Sequence, residues 1–184
     1  MRVDQLVLLI IGREGDDGFE GRTRMQKVVY FLSEVLGVNA RFSPYFYGPY
    51  SEIVARSLDS LVARGLVQEV AKAFAAPGPF EGKAYTYSLT DEGGEAVDAL
   101  KEEQPDECEA ALEALDHLLV DNPSTRALAV ASKLHVIVQR SSDPVPIGTL
   151  QRKAQSLGWR IGGIHLKDGV RFLVKRELVE TVKT

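Results

Sequence analysis

Three amphipathic helices lead into two strands around a long loop, and a basic C-terminal third repeats part of that order. With an ordinary globular composition, these observations predict a mainly α-helical α+β protein. The specific expectation is a tandem winged helix-turn-helix, the second unit with a truncated or absent wing. The 184 residues suit one large domain or two small ones. A composition of 45% hydrophobic and 26% charged residues argues against disorder. A chain of this size buries roughly 70% of its unfolded surface, so its core needs no metal or disulfide.

The elements follow in order. Residues 5–11 read as a short buried helix. Residues 12–21 hold four glycines and four acids and read as a loop. Thr23 is the expected N-cap of the next helix, whose apolar face is Met25, Val28, Val29, Leu32, Val35 and Leu36. Gly37 ends it in a left-handed C-cap. Pro44 and Pro49 make residues 42–50 extended or turned. Ser51 caps a third helix to about Arg64, buried along Val54, Leu58, Leu61 and Val62, and Gly65 stops it. Residues 66–70 and 84–89 read as strands, the second with Tyr85, Tyr87 and Leu89 at period two. The loop between them, with Pro77, Gly78, Pro79 and Gly82, is the expected wing tip. Thr90 opens an acidic helix, and Pro105 starts another with Cys108, Leu112, Leu115, Leu118 and Leu119 on its apolar face.

Asp121, Asn122, Pro123 and Ser124 form a break. The expected division is a winged-helix domain with an acidic helical extension at 1–121, and a second, basic winged-helix-like unit at 122–184. Residues 55–70 and 167–182 align without gaps and share six of sixteen positions, among them Leu61 with Leu173, Arg64 with Arg176 and Leu66 with Leu178. Met25-Gln26-Lys27 corresponds to Leu150-Gln151-Arg152. Amphipathic helices also match by chance. The repeat predicts helices at about 125–140, 147–157 and 166–176, followed by a strand, with no room for a full wing before Thr184.

Charge is unevenly spread. Residues 1–75 are net zero, 76–121 net −11 and 122–184 net +7, within a total of −4. Such asymmetry says more about partners than the total does. The single cysteine, Cys108, cannot form an internal disulfide and fits a reducing compartment. The apolar run at residues 6–11 is far short of the roughly 20 residues that span a bilayer, and lacks the cleavage pattern of a signal peptide. The expected location is cytoplasmic, with no membrane partner.

Two motifs stand out: Gly21-Arg22-Thr23-Arg24-Met25-Gln26-Lys27-Val28-Val29-Tyr30, and Tyr45-Phe46-Tyr47-Gly48-Pro49-Tyr50-Ser51. Together they resemble the YwgA-like family, which is related to the SocA-like (Panacea) domain. Those families are similar in carrying a Leu-Gln-Lys-type helix followed by a Tyr-Gly-Pro turn. The resemblance covers about residues 4–100, with Met25 where the family pattern has leucine. The YwgA-like group is largely uncharacterised, and the SocA-like relatives look like antitoxins or adaptors, so the resemblance implies a binding role at most. Physically, Gly48 and Pro49 set a sharp entry into the third helix. Arg22 or Arg24 is expected to stack on Tyr45 or Tyr47, a contact of about 0.5–2 kcal/mol. The functional reading of the same residues is a peptide- or nucleic-acid-contacting patch of Arg22, Arg24, Lys27, Tyr45 and Tyr47.

The third helix of a winged helix usually enters the major groove. Here its outward face is Glu52, Ile53, Arg56, Asp59, Ser60 and Ala63, which is poorly suited to polyanionic DNA. The wing tip, with Phe74, Pro77, Pro79 and Phe80, suits protein contact better. The second unit differs. Burying Leu166, Val170, Leu173 and Val174 leaves His165, Arg171, Phe172, Lys175 and Arg176 outward, flanked by Lys167, with Arg152, Lys153 and Arg160 upstream. The basic residues make a phosphate-contacting face, and an outward Phe172 suits a protein interface.

Catalytic signals are weak. His117, His135 and His165 lack metal-ligand spacing, and acids around Cys108 disfavour its thiolate. The stretch Gly158-Trp159-Arg160-Ile161-Gly162-Gly163 is no P-loop, and Trp159 reads as a core anchor. The expectation is a non-enzyme without cofactor or metal: a DNA-binding transcriptional regulator acting through its basic C-terminal unit. The alternative is a protein–protein module, antitoxin- or adaptor-like, that binds no nucleic acid. Double-stranded DNA, a protein partner and a second copy of the chain in a homodimer remain open as partners.

Overall fold

The computed structural model describes residues 1–75, 81–141 and 143–179. The fold is mainly helical with a small antiparallel sheet, an α+β arrangement. Helix α1 (Val3–Arg13) lies at the centre, with its residues 6–11 almost wholly out of solvent. Helices α3 (Glu52–Ala63), α4 (Asp91–Glu103) and α5 (Pro105–Leu119) and strand β5 (Glu81–Leu89) all pack on it. An apolar run too short for a membrane thus becomes the core helix. Among the described residues no helix is long and apolar enough to cross a membrane.

Strand β5 is the middle of a three-stranded sheet, between β4 (Val67–Ala75) and β1 (Phe19–Glu20). β1 lies within the stretch expected to be loop. A two-residue strand has no readable period, yet it buries Phe19 and pairs with Thr86 and Tyr87. It also moves the start of α2 (Arg22–Leu36). The N-cap is Gly21 rather than Thr23, because the Gly21 N–H donates to the Tyr85 carbonyl at 2.8 Å and hands the chain from sheet to helix. Val35, expected on the apolar face of α2, is exposed. Gly37 ends α2 in the left-handed region, as its position predicts.

Ser51 and Thr90 cap α3 and α4 through their side-chain oxygens, and Pro105 opens α5. Val54, Leu58 and Leu61 of the α3 stripe are buried as expected and Val62 is half-buried, with Glu52, Ile53, Arg56, Asp59, Ser60 and Ala63 facing out. Between α2 and α3, β2 (Ser43–Tyr45) and β3 (Gly48–Tyr50) form a small hairpin around the Tyr-Gly-Pro motif.

The break at 121–124 has Asp121 and Asn122 at positive φ and Ser124 as N-cap of α6 (Thr125–Gln139). Helices α7 (Ile147–Ser156) and α8 (Gly163–Lys175) follow. Helix α6 lies between α8 and α2, and one cluster of buried side chains runs from α1 to α8.

The two aligned segments leave their helices by the same pair of bonds. Gly65 N–H donates to Val62 O and Leu66 N–H to Leu61 O, at 3.0 and 3.1 Å. Glu177 donates to Val174 and Leu178 to Leu173, at 3.1 and 3.0 Å. This is the Schellman exit, with Gly65 and Glu177 at φ 72° and 53°. Beyond it the segments diverge. Val67 begins β4, whereas Leu178 and Val179, expected to open a strand, both lie in a bend.

Helix α8 starts earlier than expected and turns a different face inward. Leu166, Gly169, Phe172 and Leu173 are buried, whereas Val174 is exposed. Gly169 is the cause. A Cβ there would sit 2.8 Å from Leu134 Cδ1 and 2.9 Å from Val130 Cγ1, so α6 meets α8 at this glycine. That seam carries Phe172 and Arg176 inward, to 7% and 6% exposure, against the expectation that both face out.

Candidate functional site

The motif residues of α2 and the β2–β3 hairpin meet in a cleft of about 160 Å³ against α3. Arg22, Lys27, Tyr45 and Tyr47 line it, together with Tyr50 and Leu58. The structure therefore brings together four of the five residues proposed as a patch. Arg24 lies apart. It donates to the Pro123 carbonyl and, at 3.3 Å, to Asn122 Oδ1, tying the start of α2 to the linker before α6.

The expected stacking is replaced by other partners. The Arg22 guanidinium lies over Tyr85, 5.2 Å from the ring centroid, and that of Arg24 over Phe19 at 5.9 Å. Arg22 donates from Nε to Tyr87 Oη at 2.8 Å and from Nη2 to Glu69 Oε2 at 2.6 Å, and its Nη1 lies 3.0 Å from Asp59 Oδ1. Tyr87 donates to the same Glu69 oxygen at 2.6 Å. Burial works against the Glu69 carboxylate, but the Tyr87 and Arg22 bonds outweigh it and hold its pKa below the usual range. Glu69 of the sheet and Asp59 of α3 thus neutralise Arg22.

Lys27 is not a surface contact residue. It is 2% exposed, and its Nζ donates to the Pro49 carbonyl at 2.6 Å. Among the described residues it has no ion-pair partner. Burial, reinforced by Lys133, pushes its pKa down to about 8. Beside it, Gln26 exchanges two 2.9 Å bonds with the backbone of Ser51, clamping the N-cap of α3 to α2. In the C-terminal third Gln151, aligned with Gln26, reaches the Ile161 carbonyl just before α8 at 3.5 Å.

At the hairpin tip Tyr45, Phe46 and Tyr47 are exposed, Phe46 to 70%. The other side of the hairpin rests on α6. Gly48 has φ 101°, and a Cβ there would lie 3.1 Å from Ser132 Oγ and 3.2 Å from Lys133 Cγ. Trp159 is buried, as expected of an anchor, and its Nε1 donates to the Tyr45 carbonyl at 2.8 Å. That bond was invisible in the sequence, because it joins residues 114 positions apart. Phe74 lies in β4, opposite Gly82. Phe80 and the rest of the expected wing tip, residues 76–80, fall outside the described residues.

Most of the residues expected on the basic face lie at the surface. Arg152, Lys153, Arg160, Lys167, Arg171 and Lys175 are exposed, and His165 is half-buried. Lys167, Arg171 and Lys175 follow i, i+4, i+8 spacing along α8. Arg171 pairs with Asp168 at 3.4 Å, and Lys175 with Asp121. The acidic helices α4 and α5 pair elsewhere, Glu107 with the N-terminal ammonium and Asp116 with Arg13. Arg176 leaves the face altogether. It donates to the Leu118 and Val120 carbonyls at the end of α5, at 2.6 Å each, with its guanidinium 3.9 Å from the Phe172 ring centroid. It thereby satisfies helix-end carbonyls that have no partner within the helix.

Among the described residues no group of three or more His, Cys, Asp or Glu side chains is placed to hold a metal ion. Cys108 is buried, and burial with Glu107 raises its thiol pKa.

The fold and its clefts thus define a mainly helical α+β protein with an aromatic hairpin cleft at one place and a row of exposed basic residues along α8 at another. No family model matches the chain. It is similar to the uncharacterized protein YwgA of Bacillus subtilis (strain 168), with 31% identity over 87 residues, 47% of this chain and 49% of that protein. The chain thus spans about half the length of that curated relative. This distant homology supports a YwgA-like relationship.

Proposed function

We propose that the protein is a DNA-binding transcriptional regulator that contacts duplex DNA through its basic C-terminal unit, residues 122–184. The observation that carries this reading is the set of exposed basic residues on α7, α8 and the turn between them, of which only Lys175 pairs with an acid of the 76–121 segment, Asp121, among the described residues. An adaptor whose own acids masked those residues would pair most of them, not Lys175 alone. Residues 3–89 run helix, short strand, helix, two-strand hairpin, helix, strand, strand, an order that supports a winged-helix reading with the hairpin inserted before the third helix. The shared Schellman exit and the paired roles of Gln26 and Gln151 favour a second, wingless copy. From fold to regulator is an argument by analogy. In this reading α8 takes the groove or the phosphates, because its outward row is basic while that of α3 is not. The protein needs no catalytic step or cofactor for this task.

Fluorescence anisotropy on a random duplex tests it. Binding at about 10⁻⁴–10⁻⁶ M that weakens steeply with salt is expected, since released counterions set the slope. A Lys167→Glu variant lowers that slope by about one phosphate contact. No binding at about 50 mM salt, where such contacts are strongest, overturns the reading.

The exposed aromatic tip of Tyr45, Phe46 and Tyr47 favours a second reading, a protein–protein module. A relationship to SocA-like proteins would agree with it. Binding of a protein partner that is lost in Phe46→Ser, in a protein that ignores DNA, would select it.

A further inference from the structure

The motif cleft has a chemistry that the DNA-binding face does not use. Its walls are mostly apolar, from Met25, Val54, Leu58 and three tyrosines. No aspartate or glutamate lines it, while two cations do. Those cations are not equivalent. Arg22 is neutralised by Asp59 and Glu69. Lys27 is buried, with one carbonyl acceptor for its three N–H donors and no carboxylate partner among the described residues. A buried cation without a counter-ion is costly, and an anion that enters with an apolar body offsets that cost. Cavities of about 150 Å³ accept a molecule the size of benzene. The cleft, at about 160 Å³, is of that class.

We infer that this cleft is a ligand site for a small monocarboxylate with a ring-sized apolar body, its carboxylate meeting Lys27 and its body lying between the tyrosines and α3. Such a site also has a route to the C-terminal unit. Tyr45 lines the cleft, and its carbonyl accepts the Trp159 indole bond next to Arg160. A ligand that shifts Tyr45 shifts the turn between α7 and α8. The site itself stands without the DNA-binding reading; only its role as an effector site rests on that reading.

Trp159 is the single tryptophan and reports on the hairpin directly. The test titrates the full chain, without DNA, with benzoate and with phenylacetate, and follows Trp159 fluorescence and heat of binding. Saturable binding at or below about 1 mM is expected, with benzyl alcohol at least about tenfold weaker. Lys27→Met is expected to abolish the preference for the carboxylates over benzyl alcohol. Ala55→Phe, which fills the cleft and leaves Lys27 in place, is expected to remove all binding while unfolding cooperatively like the parent. No saturation by about 10 mM with either carboxylate overturns the inference, as does a preference that survives Lys27→Met. Because DNA is absent, failure here leaves the regulator reading untouched. If ligand binds, its effect on duplex affinity tests the coupling separately.

Discussion

The Tyr30 hydroxyl on α2 lies 2.8 Å from Nδ1 of His135 on α6, inside the core. His135 Nε2 is 3.2 Å from both the Leu178 carbonyl and the Gln139 amide nitrogen; in the tautomer with the proton on Nε2, that nitrogen donates to Leu178 and Nδ1 accepts from Tyr30. One neutral imidazole thus joins α2, α6 and the chain after α8. Tyr30→Phe leaves Nδ1 buried without a donor and is expected to cost about 1–3 kcal/mol in urea unfolding.

The same histidine gives the stability an acid limb. Burial holds its pKa below the ordinary value, and the Leu178 bond only partly opposes this. The unfolded chain takes up a proton near pH 6.5 while the folded chain resists. Stability is therefore fully present above about pH 6.5 and declines as pH falls below it. In His135→Gln this part of the decline should disappear. Unfolding curves for the two proteins between about pH 7.5 and 5 check it, and a parallel pH dependence would refute the assignment.

Lys27 acts in the opposite range. Its folded pKa of about 8 lies below the unfolded value of 10.5. The unfolded chain binds more protons between these values, so stability rises with pH across that window. The difference between wild type and Lys27→Met should shift in favour of wild type by about 1–3 kcal/mol from pH 8 to 10.5. Chemical denaturation at several alkaline pH values measures it.

Arg22 uses its Nε and both terminal nitrogens on three different side chains. A lysine has one nitrogen and no fork, so Arg22→Lys should behave like Arg22→Met. Because the group is partly exposed, a loss of about 0.5–1.5 kcal/mol is expected for both. Recovery of wild-type stability in Arg22→Lys would show that charge alone matters there.

Gly48→Ala forces a side chain into a backbone region it resists and against Ser132 and Lys133. A cost of about 1–3 kcal/mol is expected, with a change in Trp159 emission as the hairpin lifts from α6. Unchanged emission would mean that the hairpin does not depend on this contact.

Much of the local structure was legible because its causes are local. Ser51, Thr90 and Pro105 mark helix starts by the hydrogen-bonding needs of a first turn, and Gly37 and Gly65 mark ends by their freedom at positive φ. The apolar period of α3 named its buried side and its polar face. The two motifs also pointed to the residues that meet in the cleft.

What the sequence did not reveal has causes distant along the chain. Strand β1 exists because β5 offers it partners. Arg22 turns to Glu69 and Asp59, and Lys27 disappears beneath Pro49, because β4, α3 and the hairpin are folded around them. Helix α8 presents the face that Gly169 selects. The amphipathic pattern allowed two neighbouring faces, and the close approach of α6 chose the one that buries Phe172 and Arg176. Composition, charge segments and helix limits thus came from the order of residues alone. The tertiary structure decided which cations remain free, because a charge is neutralised by what lies near it in space.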